Sequence, residues 1–197
     1  MKKINILKIG LIWYAITLVF YGILLNIFKE YELLSTLYHV LLLFPLVLII
    51  LKKETLKDIG FRKGVINISA LLLVFGLPIL MIIAQIFVFH NPINIILNYA
   101  FFLFVIISPV TEEVFFRGFL QEKIQTISNR RYMAIIIVGL LFACIHLPRL
   151  FIGMYSIGNL IFVFILGLMF GWVYSEGKSI VYPVMFHLLW NLSLSIF

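Results

Sequence analysis

The chain has 197 residues, 64% of them apolar and 12% charged, with a mean hydropathy of +1.18. Those values exclude a water-soluble globular domain and leave a polytopic membrane protein, because a few spans of about 20 residues each use up nearly the whole length. The net charge of +7 sits in short clusters between apolar runs, not along one polar face, which argues against a nucleic-acid surface and fits the loop pattern of membrane proteins.

Taken in chain order, the apolar runs predict spans near residues 5–28, 33–51, 66–89, 94–121, 132–147, 157–175 and 180–197. Strands of a barrel would show alternating ten-residue segments, and none is present, so the expectation is an all-α transmembrane bundle of seven spans forming one domain over residues 1–197. The first run has the basic flank of a signal peptide, but it is too long and lacks a small-residue cleavage site; it reads as an uncleaved span. The second carries His39, expected to pack or line a pore, and His90 falls in a loop beside Asn91 and Pro92. The fourth run is longer than a span requires and contains Pro109. Proline lacks a backbone donor and disfavours the helical region for Ser108, so a kink or break is expected just before the acids that follow. Gly158, Gly167 and Gly171 in the sixth run read as close-packing positions.

The basic clusters set an orientation. Lys2, Lys3 and Lys8 open the first span; Lys52, Lys53, Lys57, Arg62 and Lys63 follow the second; Lys123, Arg130 and Arg131 follow the fourth; Lys178 follows the sixth. All fall on one side, which predicts a cytoplasmic N-terminus, while the opposite loops hold only Lys29 and Arg149. The single cysteine, Cys144, excludes an internal disulfide and any site built from several thiolates.

Charged side chains at the bilayer centre oppose insertion by about 2.5–3.5 kcal/mol each unless paired or hydrated. In "TEEVFFR" the sequence supplies one pair, since Glu113 and Arg117 are four apart with the acid first. Glu112 is rotated by about 100° and has no such partner. His146 closes "FACIH", and His187 shares a helical face with Asn191 in "HLLWN". Counted from the basic edge at about 1.5 Å per residue, Glu112 and His187 lie about 13 Å deep and His146 about 22 Å deep, all inside a layer about 30 Å thick. These parts suit hydrolysis: a carboxylate to take a proton from water, an imidazole to orient that water, and an imidazole with a carboxamide to stabilise an oxyanion. The same Glu112, His146 and His187 could hold zinc, although no "HExxH" pattern is present.

The motifs "EEVFFR", "FACIH" and "HLLWN", in that order within apolar helices, resemble those of the CAAX protease and bacteriocin-processing family of intramembrane endopeptidases, also called the Abi family. The resemblance covers about residues 94–197, and the family core is often drawn with eight helices against the seven counted here. It implies Glu112 as general base with His146 on the attacking water, His187 and Asn191 at the oxyanion, and Glu113 with Arg117 in support. The favoured reading is metal-independent, with zinc as the alternative. The implied substrate is a hydrophobic or lipidated peptide or protein tail, or a small secreted-peptide precursor, reached from the cytoplasmic side. The competing classes are a non-catalytic immunity or scaffold protein and a proton-coupled transporter; against transport stands the lack of paired repeats. A nucleophile at Cys144 or Ser108 ranks below the glutamate.

Overall fold

A computed structural model describes residues 2–27 and 31–197, and the regular elements among them are all helical. Lys29, in the first loop opposite the basic clusters, lies outside the described residues. Helix α1 (Lys2–Ile27) buries Ile6, Gly10, Tyr14, Thr17, Tyr21 and Leu25, spaced three or four apart, and turns Ile12, Ile16, Val19 and Ile23 outward. This stripe faces the bundle and the apolar remainder faces lipid. The second run forms two helices, α2 (Tyr31–Leu42) and α3 (Phe44–Ile50), not the single span expected. Pro45 explains the break, since a proline without an N–H fits the first turn of a new helix and not the interior of an old one.

Helix α4 (Ile68–Phe87) starts at Asn67, whose side chain accepts from the Ala70 N–H at 3.1 Å. Helix α5 (Tyr99–Ser128) starts at Asn98 in the same way and ends at Asn129, in the left-handed conformation with φ 54°. The chain then forms α6 (Arg131–Cys144), the short α7 (Leu147–Phe151), α8 (Ile157–Gly177) and α9 (Val181–Ser195). Among the described residues, α1, α4, α5, α8 and the segment Arg131–Phe151 are long and apolar enough to cross a membrane. Helix α9 has 15 residues and reaches about 22 Å, less than the thickness of a hydrocarbon core.

Pro109 does not break α5. The helix widens into π winding at Leu103–Ile107, returns to α over Ser108–Glu113 and widens again over Val114–Gln121. Helix α4 does the same before Pro78, with π winding at Leu72–Gly76. In both places the wide turns end one residue before the residue that precedes proline. Hydrogen bonds from i to i+5 let the chain keep its helical path where proline cannot donate to i−4.

At the end of the bundle that carries the basic clusters, the segment after α3 folds back against α5. Its Thr55 and Asp58 form a reciprocal cap, and the hydrogen bond from the Thr55 hydroxyl holds the Asp58 carboxyl below the usual range. Lys123 pairs with Glu54, Arg62 grips Glu122 with two bonds of 2.8 and 2.9 Å, and Arg131 pairs with Glu176. Ile59 is fully buried, and its carbonyl lies so close to Gly118 that a Cβ there would collide with it. Farther along, Gly139 of α6 meets Gly167 of α8, where a Cβ on Gly167 would stand 3.1 Å from the Gly139 Cα. Gly171 packs against Gln121 in the expected manner, whereas Gly158 has only the Ser156 Oγ nearby at 3.5 Å.

Gly118→Ala is expected to lower the Tm of the detergent-solubilised protein by several degrees, the equivalent of about 1–3 kcal/mol of overpacking. Gly76→Ala, where nothing lies within 4 Å, is the control and should leave Tm unchanged or raise it.

Candidate active site

Glu112, His146, His187 and Asn191 come from α5, the α6–α7 turn and α9, and all four line one cavity of about 460 Å³. The sequence groups them by depth and face; the fold brings them to one space. Glu112 is buried, accepts from the Ser108 hydroxyl at 3.1 Å, and has the Tyr38 hydroxyl at 3.4 Å. Ser108 is one helical turn before Glu112, so its bond was readable from the spacing, whereas Tyr38 arrives from α2 and left no local signal.

Both site histidines have one nitrogen committed. Nδ1 of His146 lies 2.8 Å from the Phe142 carbonyl, which can only accept, so Nδ1 carries the proton and Nε2 of the neutral ring is a base. Nδ1 of His187 lies 2.9 Å from Oε1 of Glu113, the oxygen that also accepts from Nη1 of Arg117 at 3.0 Å. The Glu113–Arg117 pair is therefore present as expected, with both side chains 0% exposed, and it holds His187 as well. The wider π turn that follows Glu113 brings residues four apart closer to alignment, which suits this pair. Arg117 continues to the Gly167 carbonyl at 3.0 Å and lies over the Phe142 ring at 4.4 Å. The His187 ring stacks on Phe170, with centroids 4.6 Å apart.

Asn191 donates to the Phe104 carbonyl at 2.8 Å, which fixes the amide and leaves its second N–H for another acceptor. With Nδ1 of His187 turned to Glu113, its Nε2 donates to an oxyanion only when the ring carries both protons.

His39 also lines the cavity, its Nδ1 2.9 Å from the Thr111 hydroxyl, which itself donates to the Ile107 carbonyl. The sequence reads this third imidazole as packing or pore-lining; it packs on Thr111 and lines the cavity. Arg149 and Tyr155 complete the polar wall and were not singled out. Cys144 is partly buried and does not line the cavity, so it has no access to His187 there.

As zinc ligands, the residues match in kind, with two free imidazole nitrogens and a carboxylate. They do not match in arrangement: among the described residues, no three His, Cys, Asp or Glu side chains gather at ligand distance.

The cavity is not centred in the bundle. It is lined by Tyr21 and Leu25 from the late part of α1, Leu103 and Phe104 from the early part of α5, and Asn159 and Phe162 from the start of α8. Each belongs to the half of its helix remote from the basic clusters. Phe104, Met154, Asn159, Phe162 and Leu194 are exposed at its rim. Toward the basic clusters, Ile59 packs against Gly118, and neither residue lines the cavity.

Arg117→Met leaves the Glu113 carboxylate buried without its strongest partner, and should cost about 3–5 kcal/mol in an unfolding titration. Adding Glu113→Gln to it should recover part of that loss; a double variant less stable than the single one would contradict the pairing.

The profile of the family described as Type II CAAX prenyl endopeptidase Rce1-like matches residues 92–193, which is just over half the chain and includes every residue of the three motifs. No curated protein and no solved structure matches the chain.

Proposed function

Because the chain belongs to the Type II CAAX prenyl endopeptidase Rce1-like family, we propose that it hydrolyses a peptide bond in a membrane-associated or hydrophobic peptide tail, with Glu112 activating the attacking water. The observation that carries this reading is the convergence of Glu112, His146, His187 and Asn191 on one cavity. Glu112, steadied by Ser108, takes a proton from water while Nε2 of His146 orients it. The hydroxide adds to the scissile carbonyl, and the oxyanion receives hydrogen bonds from the free N–H of Asn191 and from Nε2–H of a doubly protonated His187. Glu112 returns its proton to the amide nitrogen, the C–N bond breaks, and acid and amine products separate. Glu113 and Arg117 act on His187 from behind and do not touch the substrate. The mechanism is of the glutamic type and takes no cofactor.

A second reading rests on the 3.1 Å contact between Ser108 and Glu112, in which Glu112 deprotonates Ser108 and the serine attacks. Two variants separate them. Glu112→Gln removes the base in either case and should lower kcat by at least about 100-fold. Ser108→Ala should lose less than about tenfold if water attacks, and nearly all activity if serine does. Full turnover in Glu112→Gln would sink both.

Orientation and access also follow. Basic residues on one end of the bundle favour a cytoplasmic N-terminus. The cavity draws on the helix halves remote from those residues, which with that orientation supports substrate entry from the extracytoplasmic side over the cytoplasmic entry expected from the sequence. In a Cys144→Ser background, Met154→Cys at the rim should react with a membrane-impermeant maleimide on intact cells, and Lys178→Cys only after permeabilisation. The reverse pattern would turn the protein over.

A further inference from the structure

Two consecutive residues of α2, Tyr38 and His39, reach two consecutive residues of α5, Thr111 and Glu112. All four side chains are buried, and α2 lies outside residues 92–193, the stretch that the family profile matches. The proton transfers of the mechanism do not pass through α2.

Each of the two bonds has a definite direction. The Thr111 hydroxyl has one proton, and it faces two carbonyls that can only accept, Ile107 at 2.9 Å and Ser108 at 3.2 Å. His39 Nδ1, 2.9 Å from the same hydroxyl oxygen, therefore donates to it. The Tyr38 hydroxyl donates to Oε1 of Glu112 at 3.4 Å, and the Ser108 hydroxyl donates to that same oxygen at 3.1 Å. Oε2 accepts no hydrogen bond among the described residues, and Glu112 lines the cavity, so Oε2 is the oxygen left to it. Two donors occupy the lone pairs of Oε1 and fix the plane of the group, which directs an incoming proton to Oε2.

The two bonds act as a unit. Neighbouring side chains on a helix diverge by about 100°, so a helix held through one of them can still roll about it. Held through both, against two that diverge likewise, it cannot. The Tyr38 ring is backed by Tyr21 of α1 and meets the His39 ring edge-on, each with centroids 4.8 Å apart. Ser108 alone would hold Glu112 less firmly, because a serine within a helix can turn its hydroxyl to the carbonyl four residues back.

We propose that Tyr38 and His39 are positioning residues of the hydrolytic site: His39 sets the roll of α2 through Thr111, and Tyr38 holds Glu112 by Oε1 so that Oε2 meets the water. This rests on the protease reading and adds that a helix outside the matched stretch aims the base. Neither residue acts on the substrate directly.

The test uses the full chain in detergent and a farnesyl-cysteine peptide with three apolar residues after the cysteine. Tyr38→Phe keeps the ring and loses the donor; kcat should fall about tenfold or more, with KM within about twofold of wild type and Tm unchanged. His39→Leu should lower kcat by a similar factor, and His39→Asn, whose amide N–H can stand in for Nδ1–H, should restore most of it. Because the pair acts as one latch, adding Tyr38→Phe to His39→Leu should cost less than about threefold more. A rise in KM with kcat intact, additive losses, a kcat loss that merely follows a lower Tm, or His39→Asn no better than His39→Leu overturns the proposal. A second measurement needs no turnover. The infrared carboxyl bands of Glu112, identified by their loss in Glu112→Gln, should shift in Tyr38→Phe and in His39→Leu, and bands that stay in place in either variant overturn it. The protease reading fails separately, if Glu112→Gln still cleaves or wild type does not, and the bands then report on their own whether Tyr38 holds the carboxylate.

Discussion

One carboxylate oxygen, Oε1 of Glu113, takes hydrogen bonds from the fully buried Arg117 and from His187, which lines the cavity. An isolated charge at that depth would be expelled or neutralised; sharing offsets part of the penalty and creates a fixed joint, although Oε2 of Glu113 and Nε of Arg117 find no partner among the described residues. The guanidinium spans from α5 to the Gly167 carbonyl of α8 and lies against Phe142 of α6, while the imidazole belongs to α9. Four helices are therefore registered against one another by a single polar cluster. The cavity on the other side of His187 inherits its shape from that registration, and the imidazole presents one chosen nitrogen to it.

The class of fold and four of the cavity's polar residues, Glu112, His146, His187 and Asn191, were legible in the sequence, for physical reasons that differ. Long apolar runs can hardly be anything but helices in lipid, so the all-α bundle was legible. The Glu113–Arg117 pair was legible because spacing four on one helix is a local property. Glu113 and His187 are 74 positions apart, and nothing in either neighbourhood announces that they meet. The same holds for Tyr38 with Glu112 and for His39 with Thr111, which depend on where α2 docks. Pro45, which divides the second run, had a local signal that the unbroken apolar run concealed.

Pro109 shows how a local rule can be right about cost and wrong about outcome. Proline does forfeit a bond, but the helix met the cost by widening over Leu103–Ile107, not by stopping. Helix α4 repeats the solution at Pro78. The Ser108–Glu113 stretch between the two widened segments keeps ordinary α geometry, so Ser108 stays beneath Glu112 and the two glutamates diverge by about 100°, one toward the cavity and one toward the interior.

The close approach of Ile59 to Gly118 bears on more than packing. Lys123, Arg62 and Arg131, each in an ion pair, tie the folded segment and the neighbouring helix ends together at the basic end of the bundle. A glycine that lets one carbonyl come near thus fixes how deeply that segment can sit, and with it the spacing of the helices that run on from there to the cavity.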